Sequence, residues 1–387
     1  MNSRADPVEI ARALIRCRSV TPAEAGALDY LGVLLQRADF AVHRMRFSAA
    51  GTPDVENLFA KIGGGKPHLA FGGHADVVPP GNEASWRHPP FAAEVADGKL
   101  FGRGATDMKG AIAAFAAAAI EFTAKGKPQG TISLLITGDE EGPAVNGTVK
   151  LLQWAKARGE RFDHAIVGEP TSVKRVGDTI KIGRRGSLSA TLTVFGKAGH
   201  VAYPDRARNP MPSLIAMLSA LSGKAFDKGT KEFPPSNLEV TSVETGNPAF
   251  NVIPGEASAR FNLRFNDKHT IASLKKTIER RLKSAAKGVR YRLDYEPPSE
   301  PYLTRRGAFV DLVAKAVAEA GGVKAVLSTS GGTSDARFIK NYCPVVDLGL
   351  VGSTMHQVDE HVPLADLRVL TAIYRKILER YFARPPA

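Results

Sequence analysis

Three consecutive acids, Asp139, Glu140 and Glu141, follow the apolar run Ile132–Ile136 and end at Gly142. The run predicts a buried parallel strand, so the acids sit at its C-terminal end, where open α/β sheets hold their ligands. Neighbouring carboxylates repel, and the arrangement costs stability unless a cation or a shared proton compensates. Side chains leave an extended backbone in alternate directions, so one Glu can hold a metal while the next faces its water. The plain alternative is a solvated acidic turn.

Four more residues share that kind of position. His74, Asp107, Glu169 and His356, like Glu141, fall at ends of predicted strands or at a helix entry. Each alone reads as an ordinary surface group. Taken together, His and carboxylate donors without Cys suit zinc, cobalt or manganese in a hydrolytic site. Asp76, two residues beyond His74, has the spacing to hydrogen-bond the far ring nitrogen and orient it. An exposed turn acid is the competing reading.

The elements that must position these residues alternate. Two helices cover 7–40, broken at Thr21-Pro22, the second starting near Ala23. Strands are expected at 42–47, 57–62, 68–72, 131–136 and 164–168, with helices from Asp107 to about Ala124 and over 147–158. This is an α/β sheet with helices on its faces. Near Asp178 the pattern changes. Two strands around Gly183–Gly186, a helix 211–222, strands 237–244 and 256–265, a helix 270–285 and a strand 289–295 suit an α+β, ferredoxin-like unit. After Pro297-Pro298 come a helix 306–320, a Gly-rich turn 330–332, a helix 334–340, a strand 345–350 and a helix 363–382. The expected organisation is therefore a split domain, 1–178 and 297–387, with 179–296 inserted.

Composition narrows the class. A chain of 387 residues, 43% hydrophobic and 24% charged, is too long for one ordinary core and reads as soluble and globular. Lys plus Arg number 52 against 39 Asp plus Glu, a net charge of +13. The basic residues are scattered and not interleaved with aromatics, which argues against nucleic acid and fits an anionic small substrate. Cys17 and Cys343 match no metal or redox spacing, and Met1–Glu9 lacks an apolar signal core, so a cytoplasmic setting is expected. The alanine-rich run Ala111–Ile120 is too short to span a bilayer.

Five ordered motifs carry a family resemblance across nearly the whole chain. They are Gly73–Pro79 (GHADVVP), Gly102–Gly110 (GRGATDMKG), Asp139–Gly142 (DEEG), Gly168–Pro170 (GEP) and His356. With them the chain resembles the zinc-dependent aminoacylases and carboxypeptidases that share a co-catalytic dinuclear site. Four further stretches support the resemblance: Gly183–Ser187, Gly199–Pro204, Asn251–Pro254 and Ser330–Phe338. Ala111 departs from it, standing where many relatives have a further Gly.

The resemblance implies a zinc-peptidase-like catalytic domain with an inserted lid and dimerisation domain, and a homodimer formed through the insert. It also implies two divalent metal ions, zinc with cobalt or manganese possible, bridged by Asp107. His74 and Glu169 would complete one site, Glu141 and His356 the other. Glu140 would be the general base and His200 would reach the oxyanion, with Asn251 nearby. The implied substrate is an anionic N-acyl amino acid. Arg184, Arg264 and Arg337 would bind its carboxylates, while Ser187, Tyr203, Gly332 and Thr333 would add hydrogen bonds. A basic binding protein without turnover is the rival class, and its signature would be a lost Glu140 or a broken ligand set.

Overall fold

Apolar runs unbroken by charge form the centre of the main sheet. In the computed structural model, which describes residues 5–386, His68–His74 and Thr131–Thr137 are buried along their whole lengths, as strands covered on both faces must be. Met1–Arg4, on which part of the N-terminal reading rests, and Ala387 lie outside the described residues. The two strands run parallel, with His74 opposite Thr137. The full order is Ala41–Ala49, Thr52–Gly63, Thr131–Thr137, His68–His74, His164–Val167, Val345–Asp347, Thr179–Lys181 and Val326–Ser328. The first two strands are antiparallel, whereas Thr131–Thr137 through Val345–Asp347 are parallel neighbours. Their C-terminal ends therefore face one way.

The helix Lys109–Thr123 is buried from Lys109 through Ala119. Its alanines allow the final helix, Leu364–Ala383, to pack closely against it. Phe71 from the sheet stacks on Phe115 at 4.2 Å, with Tyr374 edge-on to Phe71 at 5.7 Å. This sandwich anchors the strand that delivers His74. Among the described residues no helix is long and apolar enough to cross a membrane.

The chain divides into two compact units: residues 5–182, 304–328 and 334–386 in the first, Gly183–Leu303 with Thr329–Thr333 in the second. The second unit is a four-stranded antiparallel sheet in the order Asn237–Glu244, Glu256–Phe265, Gly186–Phe195, Tyr291–Tyr295. Helices Met211–Ser222 and Ile271–Ala286 cover it. Leu274, Ile278 and Leu282, on one helical stripe, join Leu214, Met217 and Leu221 over Leu188, Leu192 and Phe261.

Several elements differ from expectation. The second helix begins at Ala27, because Ala25 and Gly26 adopt left-handed conformations that end the preceding turn. Thr179–Lys181 is not part of a hairpin with Gly186–Phe195; it pairs with Val326–Ser328 in the main sheet. Val326–Ser328 is too short and too exposed to announce itself by periodicity. A small sheet of Val95–Ala96, Lys99–Phe101 and His361–Pro363 also lies outside the expected elements. It ties the segment before Asp107 to the segment after His356.

Candidate metal centre

The parallel strands deliver their ligands at one edge of the first unit. His74 closes His68–His74, Glu140 and Glu141 follow Thr131–Thr137, and Glu169 follows His164–Val167. Asp107 enters the helix Lys109–Thr123, and His356 lies in the loop before His361–Pro363. The structure brings all six together. Asp107 stands between two imidazoles: Oδ1 is 3.2 Å from His74 Nε2, and Oδ2 is 3.2 Å from His356 Nε2. Glu169 Oε1 approaches His74 Nε2 at 3.8 Å, and Glu141 Oε1 approaches His356 Nε2 at 3.0 Å. Donor atoms of His74, Asp107 and Glu141 converge within 4.8 Å of one another, as do those of His74, Glu140 and Glu169.

The three adjacent acids part company. Asp139 turns away, its Oδ2 accepting from the main-chain N–H of Val145 and Asn146, each at 2.8 Å. It closes its own loop, leaving Glu140 and Glu141 to face the cluster. Asp76 also acts differently from the spacing argument. His74 Nδ1 lies 2.9 Å from the main-chain oxygen of Asp76 and 3.7 Å from its Oδ1. The carboxylate, fully buried, accepts instead from the N–H of Glu141 at 3.1 Å and of Glu140 at 3.4 Å. Two residues of chain turn the carbonyl, not the side chain, towards the ring, and the carboxylate reaches the neighbouring strand's turn.

These contacts test whether cations fit. A carbonyl can only accept, so His74 Nδ1 carries the hydrogen and Nε2 turns its lone pair towards Asp107 and Glu169. Lone pairs at 3.2 Å repel unless a proton or a metal lies among them. Without a metal the protons must serve. Against burial, hydrogen bonding to Asp107 and the charge of Glu169 hold the His74 imidazolium well above its usual range. Hydrogen bonds to Asp107 and Glu141 push His356 up to about 10. Asp107 is held far below the carboxylate range: burial opposes ionisation, but both imidazoles outweigh it. Burial, reinforced by Glu169, raises Glu140 well above its usual value. Buried carboxylates around outward-facing imidazole lone pairs are a fitting seat for divalent cations.

Sequence reasoning passed over two groups here. Lys109 is fully buried and donates to Cys17 O at 2.8 Å, with burial bringing its ammonium down to about 8. Glu360 is likewise fully buried. No periodicity marks either; only a charged residue inside an otherwise apolar stretch hints at Lys109.

The remaining candidates fall into groups. In the first unit, Arg337 contributes a positive charge that is felt at Glu140. In the second, Arg184 donates to Gly332 O at 3.0 Å, Ser187 pairs across the sheet with Arg264, and Thr333 follows Gly332 in the same unit. His200 pairs with Val252, its ring centre lies 5.8 Å from that of Tyr203, and Val201 N–H donates to Asn251 O at 3.0 Å. The two second-unit groups flank opposite ends of the strand Gly186–Phe195. At ~3.3 Å per residue that strand is about 30 Å long.

Comparison with known proteins agrees with this architecture. A protein of Rhodopseudomonas palustris named succinyl-diaminopimelate desuccinylase is 58% identical over 386 residues, covering 98% of both chains. One of the same name from Methylorubrum populi is 58% identical over 381 residues, 97% of this chain and 98% of that one. Among solved structures, human carnosine dipeptidase 1 shares the fold with a TM-score of 0.80 at 18% identity, covering 98% of this chain and 97% of that one. A Bacillus subtilis protein described as a dinuclear metal binding peptidase from the M20 family does so at 0.70 and 15%, covering 96% of each chain. Residues 70–380, which include every residue of the cluster, match the peptidase family M20/M25/M40. On fold, on sequence and on the gathering of its acids and imidazoles, the chain belongs to that family of metal-dependent hydrolases.

Proposed function

We propose that this chain hydrolyses N-succinyl-LL-2,6-diaminopimelate to succinate and LL-2,6-diaminopimelate, a step towards diaminopimelate and lysine. The carrying observation is Asp107, whose two oxygens each face a different imidazole. The relatives' shared name supports the substrate. His74 and Glu169 would hold one cation and Glu141 and His356 the other, with Asp107 shared. Zinc is our assignment, and cobalt and manganese suit the same donors. When bound, the pair supplies Lewis-acid chemistry, acidifying water and polarising the amide carbonyl.

The chain's own groups do the rest. Glu140 takes a proton from the attacking water and delivers it to the departing amine nitrogen. Asp76 holds the Glu140–Glu141 turn through its two main-chain hydrogen bonds. His200 donates to the carbonyl oxygen as charge develops there, beside Asn251. The substrate carries three carboxylates, which Arg184, Arg264 and Arg337 receive through planar guanidinium forks. Ser187, Tyr203, Gly332 and Thr333 complete its hydrogen bonds.

The strand separating the two second-unit groups is far longer than a succinylated diamino acid. A homodimer formed through the second unit belongs to the proposal, with His200 serving either its own or the partner copy's site. Exposed Val240 and Val243 on the edge strand Asn237–Glu244, with exposed Ile215 on the covering helix, supply an apolar surface for pairing. The second unit then serves as lid and dimerisation domain, and the biosynthetic role sets the enzyme in the cytoplasm.

Succinate release from the succinyl substrate, measured beside acetate release from N-acetylornithine with zinc-loaded protein, tests the reading. A higher kcat/KM for the succinyl substrate is expected. Preference for acetylornithine moves the assignment to a related deacylase, and no turnover of either leaves a binding protein.

A further inference from the structure

Arg103 and Glu360 form an ion pair that is almost wholly removed from solvent, with side chains 3% and 0% exposed. Burying two charges is costly, and packing alone would be served as well by an apolar pair. What an apolar pair cannot do is make directed bonds. Glu360 Oε1 accepts from the main-chain N–H of Thr106 at 2.9 Å and of Asp107 at 3.2 Å. Its Oε2 accepts from Arg103 Nη1 at 2.6 Å. Arg103 Nη1 also donates to Gln357 O at 3.3 Å, and Nη2 to His356 O at 3.3 Å and Pro79 O at 3.5 Å. The Trp86 ring covers the guanidinium, 5.2 Å from its centre. The main chains of both Asp107 and His356 thus hang on one side-chain pair.

That matters because His356 sits in a turn, not on a strand or helix. It lies in a loop at φ +62°, a conformation that histidine adopts seldom, and its side chain is 46% exposed. We infer that Arg103 and Glu360 are positioning residues for the cation seat formed by Asp107 Oδ2, Glu141 and His356, setting the two loops at the spacing that seat requires. The inference rests on the dinuclear reading above. The seat of His74 and Glu169 depends on the pair less, because strand ends carry those two ligands.

Metal-free protein titrated with Zn²⁺ by calorimetry, with circular dichroism recording the fold, provides the test. Wild-type protein should take up two ions per chain. Glu360→Gln should weaken one of the two steps by about 10–100-fold, the usual effect of removing an outer partner of a ligand, and the other by much less. Since Glu360→Gln leaves Arg103 buried and unpaired, the double variant Arg103→Met/Glu360→Gln removes both charges and should show the same split. Folded variants with both steps unchanged, or both weakened equally, overturn the inference. So does failure of both variants to fold, which would make the pair a general structural element. Wild-type protein that takes up no Zn²⁺ defeats the dinuclear reading itself, and this inference with it.

Discussion

Acid will destabilise this protein measurably through one histidine that takes no part in the metal cluster. His68 opens the strand that ends at His74, is 3% exposed, and lies with Nε2 2.9 Å from Ser133 Oγ and its ring edge-on to Phe162. Burial lowers its pKa to about 4, against the opposing pull of Glu160, of Arg161's main chain and of Asp163; Lys61 adds to the lowering. The folded state therefore keeps the ring neutral while the unfolded chain protonates it near 6.5. Stability is complete above pH 6.5 and falls as pH drops towards 4, because the unfolded state binds the extra proton. With these two values, linkage takes about 2 kcal/mol from folding at pH 5, and about 3.4 kcal/mol below both pKa values. The assay is urea unfolding of metal-free protein at pH 8, 6 and 5, wild type beside His68→Gln. The glutamine can still meet Ser133 but cannot titrate. Between pH 8 and pH 5 the wild type should lose about 2 kcal/mol more than the variant. Equal losses would refute the argument that burial governs this ring.

Three further outcomes follow from the site. Glu140→Ala should retain its divalent cations, read by metal analysis, while kcat falls roughly 10²–10⁴-fold, about 3–5 kcal/mol of barrier; wild-type turnover would remove Glu140 from the base's role. Gly349→Ala should destabilise the fold by about 1–3 kcal/mol, since a Cβ there would stand 2.3 Å from the carbonyl oxygen of Glu169 and 2.5 Å from that of Gly168; an unchanged Tm would show that the turn yields easily. Chelation should lower Tm and zinc should restore it, because a ligand at a thousand times its Kd stabilises by about 4 kcal/mol; a Tm indifferent to chelator would argue against buried, cation-seeking carboxylates.

Much of the architecture could be read along the chain because its signals are local. Thr131–Thr137 announces itself as an apolar run, Leu274, Ile278 and Leu282 as a helical stripe, and Met211–Ser222 as a helix with the expected residue at both ends. His74, Glu141 and Glu169 stood out for the same reason, as polar residues where buried strands stop. Thr179–Lys181 and Val326–Ser328 did not, since three-residue strands acquire their character only from the partner beside them.

Residue order, then, names the acids and imidazoles and the strand ends that bear them, because burial patterns and chain breaks are properties of neighbours in sequence. It does not say which acid faces inward. Asp139 and Glu141 are chemically alike and two positions apart, yet one closes a loop and the other joins the cluster. Asp76 grips a turn with its carboxylate and a ring with its carbonyl, and Glu360 reaches the amide of Asp107 from the far end of the chain. Hydrogen bonds depend on direction and on distances of about 3 Å, and only the folded backbone brings those donors and acceptors face to face.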